Sequence, residues 1–199
     1  MEQTKTIILR FPDNYIGITR GFTSSHKGID LGWNSNYGGQ NCNIYAPFEG
    51  EVIAITDTLG NTYSSGIASW GNYVKIKHSS IIYTLMAHLL KGSISEAGIK
   101  VVTVVKQGQQ IGRMNNSGYS NGSHLHYEVY MGGADTSFRV DPLKYTYIHS
   151  DQIVSPNTEC RDQLRYYKEA VSINEKDTAI KEACTYMTNA IELLKTYIA

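Results

Sequence analysis

Proline is scarce in this chain, at four residues in 199. Charged side chains are few as well, 18% of the total, and 18 basic groups balance 18 acidic ones to a net charge of zero. Such a balance lacks the basic excess of a nucleic-acid surface, so no nucleic-acid partner is expected. Cysteine is limited to Cys42, Cys160 and Cys184. An odd number cannot all pair, and no two are spaced Cys-x-x-Cys, which argues against a cysteine-based zinc or redox motif. Free thiols are expected, with a Cys160–Cys184 bridge as the alternative. No apolar run approaches the ~20 residues of a membrane span. Near the start, Ile7–Ile8–Leu9 is cut off by Arg10, short of the roughly 7–15 apolar residues of a secretory leader. The expectation is therefore a chain with no signal peptide.

What is present in excess is glycine, at 18, and tyrosine, at 15, within a hydrophobic fraction of 41%. At this length such a fraction can bury a core without disulfides. The first 150 residues read as short runs rich in Val, Ile and Tyr, broken by Gly-containing loops. Strands are predicted over Lys5–Arg10, Gly50–Asp57, Asn72–His78, Ile81–His88, Gln110–Asn115 and Leu125–Met131. Their spacing suggests an antiparallel or mixed sheet, not βαβ units.

Residues 151–199 change period. Cys160, Leu164, Tyr167 and Val171 are spaced 4, 3, 4; Ile180, Cys184, Met187, Ile191, Leu194 and Ile198 are spaced 4, 3, 4, 3, 4. Each set marks one apolar seam of a helix. Two helices are predicted, over about 158–171 and 175–198, with Asn174 as the N-cap of the second. The expected fold is mainly β, α+β overall: a compact antiparallel β-domain over 1–150 and a C-terminal two-helix appendage over 151–199. The paired seams must bury against something, either the domain or a docking partner.

Chemistry concentrates in the histidines. In His-Lys-Gly-Ile-Asp, His26 and Asp30 stand four apart, but Gly28 and Gly32 disfavour a helix, so a loop entering a strand would have to converge them. In His-Leu-His-Tyr-Glu-Val, His124, His126 and Glu128 follow period two. A strand would turn all three to one face, with Leu125, Tyr127 and Val129 on the other. Two imidazoles about 7 Å apart on one face can reach one ion or one substrate. His88 ends a third alternating run. Two histidines and a carboxylate make a three-ligand zinc set with a fourth position open to water, and the remaining histidines can move protons. The spacing does not decide which histidine of His-Leu-His is the ligand.

Several motifs, in order across about 130 residues, resemble the lysostaphin/LytM-type zinc endopeptidases, which cut peptide cross-links of bacterial peptidoglycan. They are HKGIDLG, YAPFEGEVIAI, GNYVKIKH, YTLMAHL, VVKQGQQIGRMNNSGYSNGSHLHYEV and VDPLKY. The resemblance implies one zinc ion held by His26, Asp30 and His126, with His88 and His124 as catalytic histidines outside the ligand set. It also implies a mainly antiparallel domain with a groove walled by loops. Glu128 is a candidate to fix an imidazole tautomer behind the metal. Tyr37, Tyr45, Trp70 and Tyr119 are candidate groove aromatics. The sequence departs from the family at three places. Arg20 lies only six residues before His26, Met86 replaces the usual aromatic before Ala-His-Leu, and Ser123 replaces the usual proline before His-Leu-His.

The expected activity is hydrolysis of peptidoglycan peptides by zinc-activated water. Two alternatives stand beside it: a virion tail or scaffold module with an idle site, and a zinc D,D-carboxypeptidase. An extracellular substrate and no recognised leader together suggest a virion-associated enzyme, or one released on lysis, acting on the cell wall. Residues 157–198 would then contact phage tail proteins or a second copy of the chain.

Overall fold

The structure, a computed structural model, describes residues 7–60 and 69–166. Among the described residues, fifteen strands follow in chain order. The first five are β1 (Leu9–Arg10), β2 (Tyr15–Ile16), β3 (Ile18–Arg20), β4 (Ile29–Leu31) and β5 (Asn43–Tyr45). The next five are β6 (Gly50–Thr56), β7 (Asn72–Lys77), β8 (Ile82–Leu89), β9 (Val104–Val105) and β10 (Gln110–Arg113). The last five are β11 (Leu125–Met131), β12 (Arg139–Val140), β13 (Thr146–Ile148), β14 (Ile153–Val154) and β15 (Arg165–Tyr166). A short helix, α1 (Ser93–Glu96), follows β8.

The main sheet runs β3-β4-β11-β8-β7-β6-β9, with β12 also on β11. Every pairing in it is antiparallel. Strand alternation divides it as the sequence implies. Leu125, Tyr127 and Val129 of β11 join Val74, Ile76 and Met86 in the principal core. The opposite face carries His126 and Glu128, and there Tyr83, Leu85, Ala87 and Tyr130 form a second cluster under Ile53, Trp70 and Tyr73. Strand β8 is buried at every residue because both faces are covered. Truncating a fully buried side chain such as Tyr127 is worth about 3–5 kcal/mol. The cores thus fix the sheet whose opposite face carries the histidines.

One irregularity matters for the site. Between β7 and β8, Asn72 pairs with Leu89 and Val74 with Met86. A single residue, Tyr73, therefore stands opposite two, Ala87 and His88. This is a β-bulge, and His88 takes a left-handed backbone with φ 62°. The bulge breaks the alternation. Ala87 faces the second cluster and Leu89 the principal core, so His88 is freed to turn towards His124 and His126.

The C-terminal expectation is corrected here. Residues 158–166 do not form a helix: Arg161–Gln163 is a single 3-10 turn and Arg165–Tyr166 is β15, parallel to β13. Unmet backbone groups on the first strands explain the difference. The N–H of Ile18 donates to Thr158 Oγ1 at 2.5 Å, Glu159 N–H donates to Ile18 O, and β14 pairs with β2. Cys160 is left-handed and Leu164 extended, yet both still pack on the principal core. Their spacing reflected burial, not a helical seam. The rest of the first expected helix and the second, over 175–198, lie outside the described residues. So does Lys5–Thr6 of the first expected strand, whose described part is strand at Leu9–Arg10. Cys42 and Cys160 are free thiols. No helix among the described residues is long and apolar enough to cross a membrane.

A turn at the sheet edge generates a prediction. Thr103 N–H donates to Lys100 O, and the third turn residue, Val102, has φ 67° and is 67% exposed. That position of a type II turn favours glycine, and a β-branched residue there is strained. Val102→Gly is expected to stabilise the fold by about 1 kcal/mol, read from the midpoint of urea unfolding.

Candidate metal centre

Strand register assembles the site. His126 of β11 stands between Asp30 of β4 on one side and Ala87 of β8 on the other. His26 enters from the loop before β4, where a turn locks it: its N–H donates to Thr23 Oγ1, and Thr23 N–H donates back to His26 O. Gly28, between His26 and Asp30, is required by close approach. A Cβ there would sit 2.7 Å from both His126 Cε1 and the Tyr127 carbonyl. His124 precedes β11 and shares its site face, and the bulge delivers His88. The ring centroids of His88 lie 4.7 Å from His124 and 5.8 Å from His126.

Three side-chain atoms converge. His26 Nε2 lies 3.1 Å from Asp30 Oδ1 and 3.2 Å from His126 Nδ1, and His126 Nδ1 lies 2.8 Å from Asp30 Oδ1. A tetrahedral zinc with bonds of about 2.0–2.2 Å needs ligand–ligand separations of about 3.3–3.6 Å. The three observed edges fall a few tenths of an ångström short, so small rotations would admit the ion. Among the described residues, this is the one group of three or more such donors. All three residues are buried.

The outer nitrogens settle the tautomers. A carbonyl oxygen can only accept, so the ring nitrogen facing it carries the proton. His26 Nδ1–H donates to Gly21 O at 2.9 Å, His88 Nδ1–H to Ser117 O at 2.7 Å, and His124 Nδ1–H to Gly122 O at 2.8 Å. Each therefore offers its Nε2. His126 is reversed: its Nε2–H donates to Glu128 Oε1 at 3.0 Å, and its Nδ1 faces the other donors.

Glu128 is 1% exposed and fully engaged. Besides His126, it accepts from Trp70 Nε1–H at 3.1 Å, Arg139 Nη1–H at 3.2 Å and the Tyr130 hydroxyl. Burial would raise its carboxyl, but hydrogen bonds from His126 and Tyr130 and the Arg139 charge hold it below the ordinary value. Asp30 behaves alike: burial is outweighed by hydrogen bonds from His126 and His26, and its carboxyl is lowered. Burial would lower His126, yet the Asp30 and Glu128 carboxylates hold it up at about 9. Burial, then the neighbouring His124 and His126, push His88 down to about 3, so its ring is neutral near pH 7.

The five residues expected to hold metal or move protons thus come together, with Glu128 behind His126. Among the aromatic candidates, Trp70 spends its N–H on Glu128. Tyr37 stacks on Tyr15 at 5.3 Å between centroids, and Tyr45 carries the Arg10 guanidinium over its ring. Tyr119 is 55% exposed, and its N–H donates to Ser69 O. Sequence reasoning passed over Arg139 and Tyr130. The period-two pattern through Glu128 could have found Tyr130, but Arg139 comes from a separate strand and left no signal.

The profile described as Peptidase family M23 matches residues 24–142, a span that holds all five residues. An uncharacterized metalloprotease of Haemophilus influenzae is 34% identical over 108 residues, 54% of this chain and 19% of that protein. The peptidoglycan DD-endopeptidase ShyC of Vibrio cholerae is 41% identical over 63 residues, 32% of this chain and 13% of that protein. The chain thus spans less than a fifth of the length of either relative. Among solved structures, a zinc-containing peptidase from Vibrio cholerae superposes with a TM-score of 0.53 at 26% identity. That match covers 69% of this chain and 39% of the other.

The raised His126 sets a pH dependence. Below about pH 9 the ring holds a proton that an incoming cation must displace. Apparent zinc affinity is expected to rise about tenfold per pH unit from pH 6 to 8, measured by competition with a chromogenic chelator. A flat profile would mean that His126 is already neutral.

Proposed function

Since this chain belongs to peptidase family M23, we propose that it is a zinc metallopeptidase that hydrolyses peptide cross-links of bacterial peptidoglycan. The observation that carries the reading is the three-donor cluster of His26, Asp30 and His126, 2.8–3.2 Å apart, beside His88 and His124, each tied through Nδ1 to a backbone carbonyl. A relative supports the substrate class: ShyC is a peptidoglycan DD-endopeptidase.

In this reading His26 Nε2, Asp30 Oδ1 and His126 Nδ1 hold one zinc ion. Zinc so bound polarises a carbonyl and lowers the pKa of water towards ~7. His88 and His124 carry the protons. Each is pinned through Nδ1–H to a backbone carbonyl, so Nε2 points a lone pair at the reacting group. The ring that accepts the water proton on Nε2 as the scissile carbonyl is attacked can then hydrogen-bond the developing oxyanion with it and pass that same proton to the leaving amine. A backbone anchor keeps either ring from swinging away when its charge changes. Glu128 fixes the His126 tautomer and strengthens it as a ligand.

The proposed site of action is the cell wall, reached in a virion or on lysis. Finding the chain absent from purified virions would sink the virion arm of this reading. The apolar spacing of Ile180, Cys184, Met187, Ile191, Leu194 and Ile198 supports attachment to tail proteins or to a second copy.

The enzyme should carry about one zinc per chain and lose activity on chelation. His26→Ala and His126→Ala should lose the zinc itself. His88→Ala and His124→Ala should keep it while kcat falls about 100-fold or more. Metal analysis with digestion of peptidoglycan of defined cross-link checks all four variants. Mass spectrometry of the products separates internal cleavage from release of terminal D-alanine, the carboxypeptidase alternative. Zinc bound with no peptide cut would leave only the scaffold alternative.

A further inference from the structure

We propose that Trp70 is a positioning residue that ties the metal-holding half of the site to its proton-handling half. The proposal rests on the metallopeptidase reading above. The sequence alone suggests a groove aromatic, which would offer its ring to substrate. Its contacts are of another kind. The indole Nε1–H donates to Glu128 Oε1 at 3.1 Å, the same oxygen that accepts from His126 Nε2–H. The Trp70 carbonyl accepts the N–H of His88 at 2.9 Å, at the residue whose backbone is left-handed. One residue therefore grips the carboxylate behind a ligand with its side chain and the bulged histidine with its main chain.

Its neighbours complete the clamp. Ser69 O accepts from Tyr119 N–H. Gly71 packs so tightly on Ser117 that a Cβ would lie 2.4 Å from the Ser117 carbonyl carbon and oxygen. That carbonyl is the anchor of His88 Nδ1. Displacing Trp70 would thus loosen Glu128 and both attachments of His88 together. The ring itself rests edge-on against Tyr73, with centroids 5.6 Å apart, so a phenyl ring can occupy much of the same space.

Trp70→Phe removes the N–H and keeps a packed ring. Zinc dissociation constants are measured by chelator competition on the full chain, with kcat and KM on a cross-linked peptide. The expected result is zinc affinity weakened about three- to tenfold with KM within twofold of wild type. In a double-mutant cycle with Glu128→Gln, the two effects on zinc affinity should be non-additive. Unchanged zinc affinity, whether or not KM rises, overturns the proposal, and a raised KM would assign Trp70 to substrate stacking. Additive effects in the cycle overturn it as well. A wild-type chain that takes up no zinc overturns the metallopeptidase reading itself and is seen before any variant is made. A zinc-binding chain without peptidase activity leaves the affinity comparison intact.

Discussion

The site depends on one alignment, the abreast register of β4, β11 and β8 at His126. Period-two alternation means that a slip of one residue would send His126 and Glu128 to the other face and Tyr127 out of the core. The register is therefore locked by burial on both faces of the sheet. The principal core holds Leu125, Tyr127 and Val129, and the second cluster holds Leu85, Ala87 and Tyr130. Hydrophobic burial, the largest favourable contribution to folding, thus places the donors within bonding range of one another.

Electrostatics explains why such a cluster is tolerated. Buried charges are costly unless they are paired and hydrogen-bonded. Asp30 and Glu128 meet that condition through His126, which lies between them and bonds both. Proton and metal thus compete for the same buried carboxylate field. Burial and the neighbouring His124 and His126 disfavour charge on His88, and bonds to backbone carbonyls hold the His26, His88 and His124 rings in place. Four rings that would repel one another if all were protonated can therefore share one small volume.

Much of this was legible in the sequence. Alternation in Leu125–Met131 located β11 to the residue and assigned both its faces, because strand geometry leaves no other choice. The resemblance carried by HKGIDLG, YTLMAHL and SHLHYEV named five residues that the structure brings together. What misled was the 4, 3, 4 spacing of Cys160, Leu164 and Tyr167. Such spacing records which residues need burial, and a strand or turn satisfied by the open edge of β2 and β3 can bury Cys160 and Leu164 as well as a helix can.

The sequence by itself determined the donor types and the face that His124, His126 and Glu128 share. Only the tertiary structure decided the rest. Simple alternation would place His88 on the face opposite Ala87. The extra residue of β8 against Tyr73 reverses that, and such a bulge depends on how two strands pair, which no single strand encodes. Likewise the tautomers follow from the carbonyls of Gly21, Ser117 and Gly122 and from the carboxylate of Glu128. Arg139 and Trp70 reach that carboxylate from 11 and 58 residues away. Partners so distant along the chain meet only when the sheet closes, because side-chain reach is a few ångströms and sequence separation says nothing of it.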